Sequence, residues 1–229
     1  MADRKGAAAV AAEIAPALAR LPADAAAAEV RRVRRGFSRR LRDAPGPAVI
    51  AAALGLLRAP RPCHTFVAYE LIQQHPAASA LLDERLLGRL GRGMHSWGQV
   101  DCFSVYLSGP AWRRGTVPTA VIHRWARSGD RWWRRAALVS TVALNSRAHG
   151  GDGDSARTLA VCRLLERDRD PMVTKAMSWA LRELAKRDPD AVRSFLAARS
   201  GALAALVRRE VRNKLETGLK NPGRRRPAR

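Results

Sequence analysis

Prolines and glycines cut this sequence into pieces of about 10 to 20 residues, and almost nothing between the cuts favours a strand. The breaks fall at Pro22, Pro45-Gly46-Pro47, Pro60-Arg61-Pro62, Gly109-Pro110, Gly150 to Gly153, Pro171, Pro189 and Gly201. Between them stand mainly alanine, leucine, arginine and glutamate, all good helix formers, and apolar alternation of period two never persists. An aspartate just ahead of a helix can cap its free N–H groups, and a proline is tolerated in the first turn. Asp170-Pro171 and Asp188-Pro189-Asp190 therefore read as helix starts, and Asp152-Gly153-Asp154 as a capping loop rather than an EF-hand. The pattern predicts an all-α chain of about a dozen helices joined by short loops.

One segment repeats. Asp130-Arg131-Trp132-Trp133-Arg134-Arg135-Ala136 can be laid over Asp170-Pro171-Met172-Val173-Thr174-Lys175-Ala176 at an offset of 40 residues. Each has an aspartate at a helix start, a large apolar residue three later, a base five later, then alanine. HEAT-type repeats have a period of about 40 to 47 residues, and their helix pairs bury apolar faces only by stacking on neighbours. The expected architecture is a HEAT-like helical-repeat solenoid. A single domain is expected over 1–221, with 222–229 as a disordered, arginine-rich tail containing Arg224, Arg225, Arg226 and Arg229.

A hydrophobic fraction of 47% is globular, and no window approaches the ~18 apolar residues of a membrane span. The N-terminus lacks the continuous apolar stretch of a secretory signal, so a cytoplasmic protein is expected. Cys63, Cys102 and Cys162 are odd in number and far apart, which argues against a disulfide framework and a zinc site. His64, His75, His95, His123 and His149 show no ligand spacing, and no phosphate-binding glycine loop or nucleophile-elbow motif occurs. Neither a metal nor a cofactor is expected.

The formal net charge is +22, and the cations are 37 arginines against 5 lysines. So basic a chain points to a polyanion, because each phosphate neutralised releases condensed counterions. A GC-rich genome can exchange lysine for arginine, but such bias does not by itself explain the shortage of carboxylates. Seven arginines crowd residues 31–42 within one predicted helix: Arg31, Arg32, Arg34, Arg35, Arg39, Arg40 and Arg42. A second group is Arg208, Arg209, Arg212, Lys214 and Lys220. Arg31, Arg35, Arg39, Arg208 and Arg212 are candidate nucleic-acid contacts.

All six tryptophans lie between residues 97 and 179. Trp125 and Trp132 are expected to pack in the core; aromatic faces beside a basic groove also hold nucleobases. In Ser96-Trp97-Gly98-Gln99-Val100-Asp101, a helix puts Trp97 and Asp101 on one face. A carboxylate in so apolar a run is a cap, an ion-pair partner or a catalytic group. In Trp132-Trp133-Arg134-Arg135-Ala136-Ala137, one arginine faces inward or into a groove. Lys175, Trp179 and Arg182 share a helix face, a tryptophan between two cations.

The succession SWxxVD, WxRRAA and KAxSWALRE resembles the AlkD-like DNA alkylation repair proteins, from about Arg31 to Lys220. The resemblance implies an all-helical HEAT-like solenoid with a concave basic cleft that removes cationic N3- and N7-alkylated purines from duplex DNA. A monomer, cytoplasmic and nucleoid-associated, is expected. It maps the catalytic aspartate onto Asp101, its tryptophan onto Trp97, and the later tryptophan onto Trp179. The arginine maps best onto Arg135, with Arg134 as the alternative. Read from the residues themselves, Arg134, Lys175 and Arg182 are candidate DNA contacts. Gly98 stands where relatives often carry a polar or acidic residue, which bears on substrate range. A subgroup of the family lacks the catalytic residues and only binds DNA, so a non-catalytic binder of DNA or RNA is the alternative reading.

Chemistry and resemblance agree. An N-alkylated purine is already cationic and leaves without protonation. What needs stabilising is positive charge growing on the deoxyribose, which a fixed carboxylate can do while orienting water. Trp97 and Trp179 would offer electron-rich faces, and Arg135 would hold phosphate. Many glycosylases flip the base into a pocket. The resemblance implies that this one grips the backbone from a shallow cleft instead, leaving room for bulky lesions.

Overall fold

The computed structural model describes residues 2–58 and 61–222. Every regular element among them is helical. The arginine run of the tail, and Pro60 among the expected breaks, lie outside the described residues. The chain divides into two compact units, Met1–Met94 with Tyr106–Val117, and His95–Val105 with Pro118–Arg229.

The first unit opens with α1 (Ala2–Ala19), α2 (Ala27–Arg40), α3 (Gly46–Leu56), α4 (Pro62–Gln73), the single turn α5 (Pro76–Ser79) and α6 (Glu84–Leu90). Prolines set three of the starts: Pro47, Pro62 and Pro76 each stand in a first turn, where a missing N–H costs nothing. Two side chains supply caps. His75 Nδ1 accepts from Ala78 N at 3.1 Å, and Asp83 Oδ1 accepts from Leu86 N at 2.7 Å. Helix α3 is apolar on nearly every face because it lies among α1, α4 and α5. Its first residue must be glycine: a Cβ on Gly46 would sit 2.6 Å from the Ala77 carbonyl oxygen.

Residues 97–113 are helical throughout, contrary to the expected break at Gly109-Pro110. They comprise α7 (Trp97–Phe103) of the second unit, a widened π turn (Ser104–Ser108) and α8 (Gly109–Arg113), which belongs to the first. A proline in a regular α-helix loses one hydrogen bond and collides with the carbonyl four residues back. The π turn immediately before Pro110 opens that spacing, so the helical path continues where composition predicts a stop.

The second unit continues with α9 (Thr119–Ala126), α10 (Arg131–Asn145), a 3-10 turn (Arg147–His149), α11 (Ser155–Leu164), α12 (Pro171–Leu184), α13 (Pro189–Arg199) and α14 (Ala205–Thr217). Helices α10, α12 and α14 pack side by side in one row. Helices α9, α11 and α13 each lie against members of that row, and α7 packs on α10. The four expected aspartate caps are present: Asp130, Asp154, Asp170 and Asp188 each accept from a first-turn N–H. Helix α10 is buried without interruption from Arg135 to Asn145.

Asn145, wholly buried, fastens the turn after α10. Its amide donates to the Thr141 carbonyl and to Thr158 Oγ1, each at 2.9 Å, and its oxygen accepts from Asp154 N at 2.9 Å. Leaving one such buried group unpaired costs about 1–3 kcal/mol. The returning chain passes so close that a Cβ on Gly151 would lie 2.5 Å from the Leu144 carbonyl carbon.

Candidate active site

Helix α7 starts with a reciprocal lock. Ser96 Oγ accepts from Gln99 N at 3.4 Å, and Gln99 Oε1 accepts from His95 N at 3.0 Å. The chain thereby enters the helix at a fixed angle. Trp97 at the first helical position and Asp101 one turn later then share a face. Their surroundings differ sharply. Trp97 is 63% exposed, an unusual state for an indole, whereas the Asp101 side chain keeps only 17% of its surface.

The partner of Asp101 comes from α10. Arg135 Nε donates to Asp101 Oδ1 at 2.9 Å and Nη2 donates to Oδ2 at 2.8 Å, a fork on both carboxylate oxygens. The remaining nitrogen, Nη1, donates to the Met172 carbonyl in the first turn of α12 at 2.6 Å. One guanidinium thus joins three helices. Burial pushes the Asp101 carboxyl above its ordinary value, while the hydrogen bonds and charge of Arg135 pull it back. A carboxylate oxygen accepting one hydrogen bond keeps a further lone pair, so each Asp101 oxygen can still address a water or a developing cation.

The sequence reading gives Arg135 a phosphate; the structure gives it a carboxylate and a carbonyl. Arg134, the alternative, is also engaged. Its Nε donates to Asp168 Oδ2 at 2.7 Å, and its Nη1 donates to the Ser128 and Gly129 carbonyls at 3.0 and 2.8 Å. It braces the turns that precede α10 and α12.

Helix α12 enters through Met172, and Trp179 stands about two turns farther along it, half-buried. Lys175 is exposed one turn before Trp179. Arg182 follows, half-buried, with Nε donating to Ser178 Oγ at 3.1 Å. In the last helix pair, Arg208 donates to the Ser200 carbonyl at 3.0 Å and Arg212 is exposed. Both line a cavity of about 600 Å³ between α13 and α14, with Leu196 and Leu215 on its apolar side.

In the first unit the arginines of α2 split into two groups. Arg31 and Arg34 converge on the buried Glu70, Nε to Oε1 at 3.1 Å and Nε to Oε2 at 2.8 Å, and Arg31 stacks over Phe66 at 4.8 Å. Arg40 grips Glu13 through both oxygens. Arg35 and Arg39 are exposed and have no carboxylate partner among the described residues. Arg42 falls just past the helix end.

Sequence reasoning missed Gln99 and the Met172 carbonyl. The first was legible as a serine followed three residues later by glutamine; a backbone carbonyl leaves no sequence signal. Trp125 packs as expected, but its partners are Phe103 and Trp133, with ring centroids 5.9 and 4.8 Å away. Trp132 instead carries the Arg131 guanidinium over its ring at 5.1 Å. Cys162 is fully buried, and burial pushes its thiol up to about 12. Among the described residues, no cluster of three or more His, Cys, Asp or Glu could hold a metal ion, and no helix is long and apolar enough to cross a membrane.

A family model described as DNA alkylation repair enzyme matches residues 25–215. The chain belongs to that family. The match takes in Trp97, Asp101, Arg135 and Trp179, together with the arginine helix α2 and most of α14. Membership in the DNA alkylation repair enzyme family makes DNA the substrate class and repair of alkylation damage the process. No curated protein matches the sequence significantly.

Proposed function

We propose that this protein is a DNA glycosylase that hydrolyses the N-glycosidic bond of cationic N3- and N7-alkylated purines in duplex DNA. The observation that carries the proposal is the largely buried Asp101 carboxylate, forked by Arg135 and one helical turn from the exposed Trp97. A carboxylate so held does not reorganise as charge develops, and in a site of low dielectric it stabilises a nearby cation far better than water does. The alkylated purine departs as a neutral base, taking the bonding electrons. Positive charge then grows across the C1′–O4′ bond of the deoxyribose, opposite Asp101, and a water held by the same carboxylate adds to C1′ as its proton passes to Asp101 and on to solvent.

Arg135 acts through Asp101. It sets the angle of the carboxylate and keeps it ionised against the burial that favours its protonation. Trp97 and Trp179 supply the electron-rich faces toward the sugar and the cationic base. The row of α10, α12 and α14 with α9, α11 and α13 against it, and the matching capping of α10 and α12, support the HEAT-like reading of the fold. Lys175, Arg182, Arg208 and Arg212, with Arg31, Arg35 and Arg39 of the first unit, would contact the DNA backbone.

Asp101→Asn tests the assignment. The substitution keeps size and leaves one acceptor for Arg135. Release of 7-methylguanine from methylated duplex DNA is expected to fall by about 100- to 1,000-fold, with duplex affinity retained. Undiminished release overturns the catalytic role, and a wild-type protein that binds duplex without releasing base is the non-catalytic binder.

A further inference from the structure

Arg182 is fixed from behind by two buried groups that the proposed reaction does not use. Ser178 on α12, wholly buried, accepts from Arg182 Nε at 3.1 Å and donates to Glu210 Oε2 on α14 at 2.6 Å. Glu210 is itself 5% exposed, and its other oxygen lies 3.4 Å from Lys220 Nζ. The carboxylate next in sequence, Glu183, is taken by Lys186 Nζ at 2.7 Å. Both acidic groups that influence Arg182 electrostatically thus have other cations as ion-pair partners. Arg182 forms no ion pair among the described residues, and neither Nη1 nor Nη2 has an acceptor among them.

A half-buried guanidinium in that condition has lost water without gaining an ion pair, and burial pulls its pKa down more than the nearby charges of Glu210 and Glu183 raise it. The loss is recovered when an anion arrives. Anchoring through Nε leaves the two Nη groups as a planar pair, the geometry that bonds two oxygens of one phosphate. The anchor also removes, before binding, much of the rotamer freedom that an arginine otherwise loses on binding. Arg182 shares its helix face with Trp179.

We infer that Ser178 and Glu210 are positioning residues that hold Arg182 as the receptor for a single backbone phosphate of the DNA, beside Trp179. The inference rests on the DNA repair reading above and names a contact within it.

The test is equilibrium binding of the full chain to a short undamaged duplex over a series of salt concentrations. Each phosphate contact contributes about 0.9 to the slope of log K against log salt. Arg182→Gln is expected to lower the slope by about that amount, and Ser178→Ala to do the same without touching DNA. Adding Ser178→Ala to Arg182→Gln is expected to change nothing further. Glu210→Gln, which still accepts from Ser178, is expected to keep the wild-type slope. A merely structural role for Ser178 lowers the melting temperature and leaves the slope alone, and that result overturns the inference. So does an unchanged slope in Arg182→Gln, a half-exposed position whose variant stays readable should Ser178→Ala fail to fold. A wild-type chain without salt-dependent duplex affinity overturns the DNA reading itself, an outcome distinct from the other two.

Discussion

Helices α10 and α12 begin with the same hydrogen bonds. Asp130 Oδ1 accepts from Trp132 N and Asp170 Oδ1 from Met172 N, both at 2.8 Å. The residue two places upstream accepts from each aspartate's own N–H, through Ser128 Oγ at 3.1 Å and Asp168 Oδ1 at 2.8 Å. Five residues into each motif stands a base, and there the likeness ends. Arg135 is buried and committed to Asp101 and Met172, while Lys175 is exposed. Local sequence sets the helix start, but the helix packed alongside decides the use of the base. Helix α7 lies against α10 and delivers a carboxylate, so the same place in the two matched segments becomes a carboxylate holder once and, among the described residues, a cation without an ion-pair partner once.

The comparison breaks most severely at Arg135. Arg135→Gln strands a largely buried carboxylate; it is expected to cost the fold about 3 kcal/mol and, on the proposed reading, to lower base release by about 100-fold or more. Urea unfolding and single-turnover release measure the two effects. A variant as stable as wild type would mean that Arg135 and Lys175 are equivalent after all. Arg135→Lys keeps the charge but loses the fork, and a loss of about tenfold in release is expected, between the other two proteins.

The pH profile of release sharpens the same contrast. On the proposed reading Asp101 must be charged to act, so release is expected to be retained above its pKa and lost as pH falls through it. Burial raises that pKa above its ordinary value, so the acid limb is expected to shift upward with it, and higher still in Arg135→Lys. An acid limb at or below the ordinary value would separate Asp101 from the chemistry.

Smaller effects belong to α12. Lys175→Gln is expected to lower the salt slope of duplex binding by about 0.9. Its unfolding free energy should change by less than about 0.5 kcal/mol, since nothing buried is touched. Asp170→Ala removes the cap and the part-exposed ion pair with Arg131 at 3.5 Å, and should cost about 1 kcal/mol in unfolding, with release little changed.

The elements legible in the sequence are those governed by neighbours in the chain. The aspartate caps, the Trp97–Asp101 face and the glycine-rich turn after α10 all depend on residues within a few positions. What escaped depends on distance. Nothing near Arg135 says that it rather than Arg134 meets Asp101, because the choice is made by α7, 34 residues away. Arg34 reads as one more surface cation, yet it is buried on Glu70, 36 residues on. The Gly109-Pro110 break failed for a local reason: a π turn absorbs a proline, and composition does not announce one.

The bond from Arg135 Nη1 to the Met172 carbonyl reaches past the carboxylate. That carbonyl lies in the first turn of α12, where helices fray most readily and exchange their amide hydrogens soonest. If that turn opens, Arg135 loses one of its three acceptors and the fork on Asp101 loses its backstop. On the proposed reading, the heat tolerance of catalysis is then set by the local opening of one helix end. Activity would fade on warming while the rest of the chain remains folded.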